Sequence, residues 1–183
     1  MSKLVHMGGA SGIGKTTIMS LLDVTVLDIS TLSSSQKINE FCVNNFGKSI
    51  MQATDKEIII ASREVLKLAI RGEKPVTVVD SHYVKVNTNG GISRLTTPEN
   101  MIMFTSHVII DAPASEILIR RMKDKNRNRS LSINSIDLEI KEELLEAKRI
   151  SKLTSTNLNV IQNIDIVKAV DELTDILRKI TRG

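Results

Sequence analysis

The stretch GGASGIGKTT, Gly8 to Thr17, packs four glycines into seven residues and then places Lys15, Thr16 and Thr17. From Gly9 onward it fits the spacing Gly-x-x-x-x-Gly-Lys-[Ser/Thr], closing with Gly14, Lys15 and Thr16. Glycines let successive backbone N–H groups turn toward one point, and a helix starting there adds its positive dipole end. Gly9, Ala10, Ser11, Gly12, Ile13, Gly14, Lys15, Thr16 and Thr17 are therefore expected to cradle the phosphates of a nucleoside triphosphate. Lys15 would reach the β- and γ-phosphates, and the Thr16 hydroxyl would hold Mg²⁺.

An acidic partner is expected at Asp80, which ends the apolar run PVTVVD. It would orient Mg²⁺ through a water, or else cap a turn. Ser81 follows it in VVDSHYV, where a water-activating ATPase would place Glu. No Asn-Lys-x-Asp stretch, the guanine reader of Ras-type GTPases, occurs in the chain. What remains is a phosphotransferase, which must exclude water and bind a second substrate. His82 could touch that acceptor or make a simple loop contact.

The third signal is RRMKDKNRNR, residues 120–129, with six basic residues against one aspartate. Transfer of a γ-phosphoryl group spreads charge over its oxygens, and arginines folding over it stabilise that charge with a planar, bidentate fork. A solvated basic face or a nucleic-acid patch is the alternative. The run follows a strand–helix unit and precedes a long helix, the place for a lid over residues 124–135.

These groups need a scaffold, and the periodicity supplies one. Strands are expected at about residues 3–8, over VTVLDI (Val24–Ile29), at Pro75–Asp80, at HVIIDAP and at NLNVIQ, with Ser30–Ser35 a polar loop. Helices are expected after the glycine loop, over about Gln36–Asn45, and from the Thr54 capping box to Arg71. Further helices should begin at Pro113 and run amphipathically over Ile166–Ile180, with Val167, Val170, Leu173 and Leu177 inward. Residues 81–104 read as a polar loop with a short helix near Pro98–Met103. Alternating strands and helices imply an α/β fold with a parallel sheet, which binds ligands at the carboxyl ends of its strands.

The chain of 183 residues suits one domain with a single sizeable core. Its net charge of +4 suits phosphate-bearing ligands, while four aromatic residues (three Phe, one Tyr) leave almost no platform for stacking bases, so no nucleic acid is expected. Cys42 is alone, excluding an internal disulfide, and a cytoplasmic home is the expectation. The apolar start runs only from Leu4 to Met7, which argues against a signal peptide, and no run long enough to span a membrane occurs.

Taken together, the chain resembles the archaeal type of adenylate kinase. Three blocks carry the likeness: GGASGIGKTT after the first strand, VVDSH in place of that family's Asp-Thr-His strand end, and ILIRRMKDKNRNR running into an Arg-Asn-Arg lid. The resemblance implies a P-loop NTPase three-layer sandwich with about five parallel strands and a small lid. It also implies Mg²⁺-dependent phosphoryl transfer from ATP to AMP, giving two ADP. Arg127 and Arg129 would be lid arginines, with Arg120 fitting the motif by spacing, and a homo-oligomer stays open. One departure matters. Within the acceptor region, about 30–72, the segment Ser30–Gln52 has no arginine, only Lys37 and Lys48, so Arg63 and Arg71 would have to serve. Another small acceptor, or a regulatory nucleotide-binding module without catalysis, therefore remains open as well.

Overall fold

The computed structural model describes residues 1–86, 91–124 and 129–182. In chain order the elements are β1 (Lys3–Gly8), α1 (Lys15–Leu21), α2 (Val24–Leu27), β2 (Ile29–Ser33), α3 (Ser34–Phe46) and α4 (Asp55–Ile70). They continue as β3 (Val76–Asp80), β4 (Val84–Val86), β5 (Ile92–Arg94), α5 (Pro98–Met101) and β6 (Phe104–Asp111). The chain closes with α6 (Ala114–Lys123), α7 (Ile133–Thr154), β7 (Asn157–Gln162) and α8 (Ile166–Arg182). Five strands form one parallel sheet in the order β2-β3-β1-β6-β7. The central strands are apolar on both faces, as a sheet covered by helices on each side requires. Val5, Met7, Val78, Val108 and Ile110 pack under α1 and α8 with Leu173 and Leu177. Leu4, Val79 and Ile109 face the other way, toward α4, α5 and α7. Each such buried side chain contributes about 1.5–3 kcal/mol.

Strand ends fix the geometry of the site. Met7 pairs with Asp80, and Asp80 also pairs with Ser33, so the end of β3 lies level with the start of the glycine loop. The capping box expected at Thr54 is formed: its side chain accepts from the Glu57 N–H, and the Glu57 carboxylate accepts from the Thr54 N–H at 2.7 Å.

The segment Val24–Ser35 differs from its sequence reading. VTVL forms the single helical turn α2, and the second strand is Ile29–Ser33, all but its first residue in the stretch expected as polar loop. The reason is local capping. Asp23 accepts from the Val26 N–H at 3.0 Å, and Asp28 takes a left-handed conformation (φ 52°) that ends the turn. The polar strand that follows is an edge strand, where Ser30 can bond the Thr77 hydroxyl at 2.7 Å and Thr31 can face water. Propensity lost to capping and to edge position.

Three smaller differences follow the same pattern. Residues 81–104 contain an antiparallel pairing of β4 with β5 as well as the short helix α5. Pro113 caps α6 from outside, with the helix beginning at Ala114. On α8 the inward residues are Ala169, Leu173 and Leu177, while Val167 is exposed.

Candidate active site

The glycine loop joins β1 to α1 through backbone that only glycine adopts comfortably. Gly12 has φ 79° and Gly14 has φ 104°. Space is as restrictive as torsion. A Cβ on Gly14 would lie 2.5 Å from the Asn163 amide nitrogen, and one on Gly12 would lie 3.0 Å from Arg121 Cγ and 3.3 Å from Arg129 Nη1. Helix α1 starts without a side-chain cap or an acidic residue in its first turn, so its amino end keeps its positive character.

Lys15 is buried at 6% exposure and donates to the Gly9 carbonyl at 2.6 Å, with Asp80 Oδ1 at 3.9 Å. Burial lowers its pKa, while Asp80, Glu143 and Glu139 pull the other way. Thr16 and Thr17 are exposed on the first turn of α1, and Asp80 is half-buried beside Lys15. The Thr16 hydroxyl and the Asp80 carboxylate are hard oxygen donors, the kind that Mg²⁺ takes alongside phosphate oxygens and water.

The arginine run divides. Arg120 donates to the Ile13 carbonyl and to the Asn163 carbonyl, both at 2.7 Å, bracing the loop from below. Arg129 donates to Asp124 Oδ2 at 2.9 Å and packs against Gly12. Arg127 lies outside the described residues. Arg121, adjacent to a residue singled out by its spacing, holds the more central position. Its side chain is 2% exposed, donates to the Ser11 carbonyl at 2.7 and 3.0 Å, and pairs with Glu139 at 2.6 Å. Glu139 in turn accepts the Ser11 N–H at 2.5 Å. Residue 11 is thus clamped at both ends by one ion pair.

His82 sits on the turn after β3 with Nδ1 3.1 Å from Glu143 Oε1. The structure does not bring Arg63 or Arg71 to this corner. Arg63 lies on the solvent face of α4, opposite the buried stripe Ala61, Val65, Leu66 and Ala69, and lines a surface groove of about 220 Å³ with Ile59, Ile60, Glu64 and Lys67. Helical phase makes that outcome unavoidable once Ala61 and Val65 face inward. Arg71 caps α4 at the other edge of the sheet, where the Ser2 N–H bonds the Ile70 carbonyl at 2.8 Å. The six residues of β1 separate it from the glycine loop by about 20 Å.

Four residues of the site were not singled out from the sequence: Arg121, Glu139, Glu143 and Asn163. Two of them left a trace. Glu143 lies in the apolar stripe Ile136, Ile140, Ala147, Ile150 of α7, and Arg121 lies one turn after the buried Ile117. A charge on the inward face of a helix is a pairing signal. Asn163 left none, since it follows β7 in a turn.

A glycine loop on a parallel sheet, with Lys15 and a strand-end carboxylate beside it, defines a P-loop nucleotide-binding protein. Family comparison sharpens this: the family model described as AAA domain matches residues 8–139, and the chain belongs to that family of P-loop kinases. Two adenylate kinases are similar along nearly the whole length. That of Methanocaldococcus jannaschii is 25% identical over 201 residues, covering 97% of this chain and 99% of the relative. That of Methanococcus aeolicus is 28% identical over 204 residues, covering 96% and 98%. Among solved structures, a shikimate kinase from Acinetobacter baumannii shares the fold, with a TM-score of 0.57, 17% identity, and coverage of 100% of this chain and 94% of that one.

Proposed function

We propose that this protein transfers the γ-phosphoryl group of ATP to AMP, giving two ADP. The observation that carries the reading is the combination of a complete phosphate loop, with Asp80 next to Lys15, and likeness to two adenylate kinases across nearly the full chain. The bond between the γ-phosphorus and the β–γ bridging oxygen breaks, and a new bond forms to a phosphate oxygen of AMP. Backbone N–H groups of the loop hold the β-phosphate, and Lys15 moves from the Gly9 carbonyl toward the charge growing on the bridging oxygen. The Thr16 hydroxyl and the Asp80 carboxylate would hold Mg²⁺, which when bound would supply neutralising charge to the phosphates. Arg129, with Arg127, covers the transferring group, and the segment around 124–135 serves as the lid that excludes water. Arg120 supports the loop through Ile13 in this scheme.

One observation favours a second reading, in which the acceptor is a small hydroxyl compound. His82, on the turn after Asp80, is held by a carboxylate, and one solved structure with the same fold is a kinase of shikimate. A coupled assay of ADP formation with AMP, other nucleoside monophosphates, nucleosides and small hydroxy acids separates the two. Turnover greatest with AMP supports the first reading, and turnover confined to hydroxyl acceptors replaces it with the second. ATP binding without turnover on any acceptor would make the protein a regulatory nucleotide binder.

A further inference from the structure

Glu143 is a fully buried carboxylate, 1% exposed, with no part in the transfer scheme above. Burying an ionised carboxylate costs several kcal/mol unless it is paired and hydrogen-bonded. Here it is saturated. Oε2 accepts the Gly9 N–H at 3.2 Å, both oxygens accept the Tyr83 N–H at 3.2 Å, and Oε1 also takes the Val84 N–H at 3.4 Å and His82 Nδ1 at 3.1 Å. The donors come from two places far apart in the chain, the entrance of the phosphate loop and the turn that follows Asp80. Both lie on the carboxyl edge of the sheet, and α7 touches each of them through the same side chain.

We propose that Glu143 is a positioning residue for phosphoryl transfer: it fixes the spacing between the phosphate loop and the His82 turn, and it sets the orientation of the His82 ring. The proposal rests on the phosphotransfer reading for its kinetic consequences. A carboxylate accepts, so Nδ1 carries the hydrogen and Nε2 is left facing outward; the side chain is 36% exposed and Nε2 has no partner among the described residues. An acceptor entering beside Asp80 therefore meets an imidazole nitrogen of defined direction. Ground-state ATP binding depends on the loop amides and Lys15, and His82 stands outside both, so the orientation of its ring acts on turnover more than on ATP affinity.

The test uses Glu143→Gln, His82→Gln and the double variant in the full chain. Replacing one oxygen by an NH₂ group turns a donor toward N–H groups while keeping shape. The expected result is a loss of tenfold or more in kcat for each single variant, KM for ATP within threefold of the parent for His82→Gln, and a double variant no more than threefold below the worse single. A lowered melting temperature with unchanged kcat, or losses that multiply in the double variant, would show a purely structural carboxylate and overturn the proposal. A second readout does not need turnover or a folded Glu143→Gln. In ¹⁵N spectra of the parent enzyme's histidines at about pH 8.5, where an ordinary imidazole is neutral, His82 should carry its hydrogen on Nδ1. A His82 signal with the hydrogen on Nε2 refutes the orienting role. Should the parent phosphorylate no acceptor, the kinase reading fails while this spectrum still decides the role of Glu143.

Discussion

The corner around the glycine loop and the hairpin of α3 with α4 are built in opposite ways. At the loop, side chains from α6, α7 and the turn after β7 reach back across more than a hundred residues to hold single backbone groups. Ser11 is held by Arg121 and Glu139, Gly9 by Glu143, and Ile13 by Arg120 and Asn163. In the hairpin the polar contacts are short-range and exposed, as with Lys37 to Glu40 and Lys48 to Glu57, and the small core of Ile38, Cys42, Ala61 and Val65 is its own cluster. Exposed ion pairs of that kind contribute about 0–1 kcal/mol. The loop is braced by long-range contacts and the hairpin by local ones. Under the proposed function, rigidity at the loop suits phosphate chemistry common to kinases, and a hairpin that met the acceptor would gain from being adaptable.

The largest expected effect lies at the loop. Lys15→Met should lower turnover by at least about a thousandfold, or about 4 kcal/mol, because it removes the charge that meets the bridging oxygen. Full activity in a well-folded Lys15→Met protein, checked by thermal melting, would break the assignment of the loop. Arg129→Ala comes next, at about 2–4 kcal/mol in activation free energy with little change in ATP affinity, as for one preorganised electrostatic contact. Unchanged turnover together with weaker, less salt-dependent RNA or DNA binding would turn the arginine run into a nucleic-acid patch.

Beneath the loop, a group of buried rings provides a pH test of the same rigid corner. His6 on β1 and His107 on β6 are register partners, Tyr83 bonds His107 Nδ1 at 2.8 Å, and the Tyr83 ring lies where a Cβ on Gly8 would be. Burial lowers the pKa of His107 to about 4 and that of His6 well below the usual value, with His107, Lys15 and His82 adding to the effect on His6. Both rings stay neutral in the folded chain while the unfolded chain takes up protons below about pH 6.5. Stability is therefore full above that pH and falls toward pH 4, by about 3 kcal/mol for His107 alone. Denaturant unfolding across that range measures it. A flat profile from pH 7 to 4.5 would show that the rings protonate in place.

The loop motif was legible because it is a local pattern of residue types, and the strand that carries Asp80 to its side because it is a buried apolar run. The parallel sheet was legible because buried strands such as Val76–Asp80 are continuous apolar runs. What escaped was set by distant partners. Val24–Leu27 read as a strand until Asp23 and Asp28 capped it, and the clamp on Ser11 joins residues 11, 121 and 139, which no local window contains. Arg63 and Arg71 were reasonable as charges, but the helix phase and the sheet edge that place them depend on which face of α4 is buried.

That placement gives the smallest expected effect and the sharpest probe of the contrast between loop and hairpin. With Arg63 on the solvent face of α4 and Arg71 at the opposite edge of the sheet, neither guanidinium lies beside Asp80 or Lys15. Arg63→Ala and Arg71→Ala should each leave kcat and the KM for AMP within about twofold, the usual range for surface changes of under 0.5 kcal/mol. Arg71 is fixed by its position next to the first residues of β1, so no hinge motion of the hairpin can bring it to the loop without breaking the bond from Ser2 to Ile70. Arg63 is different, because it lies further along α4 on its solvent face, lining the groove with Ile59, Ile60, Glu64 and Lys67. A rise of tenfold or more in the KM for AMP on Arg63→Ala alone would therefore mean that α4 rotates or swings over the carboxyl edge when the acceptor binds. The same rise in both variants could not come from closure, and would instead locate acceptor binding away from the loop and break the reading of a single transfer site.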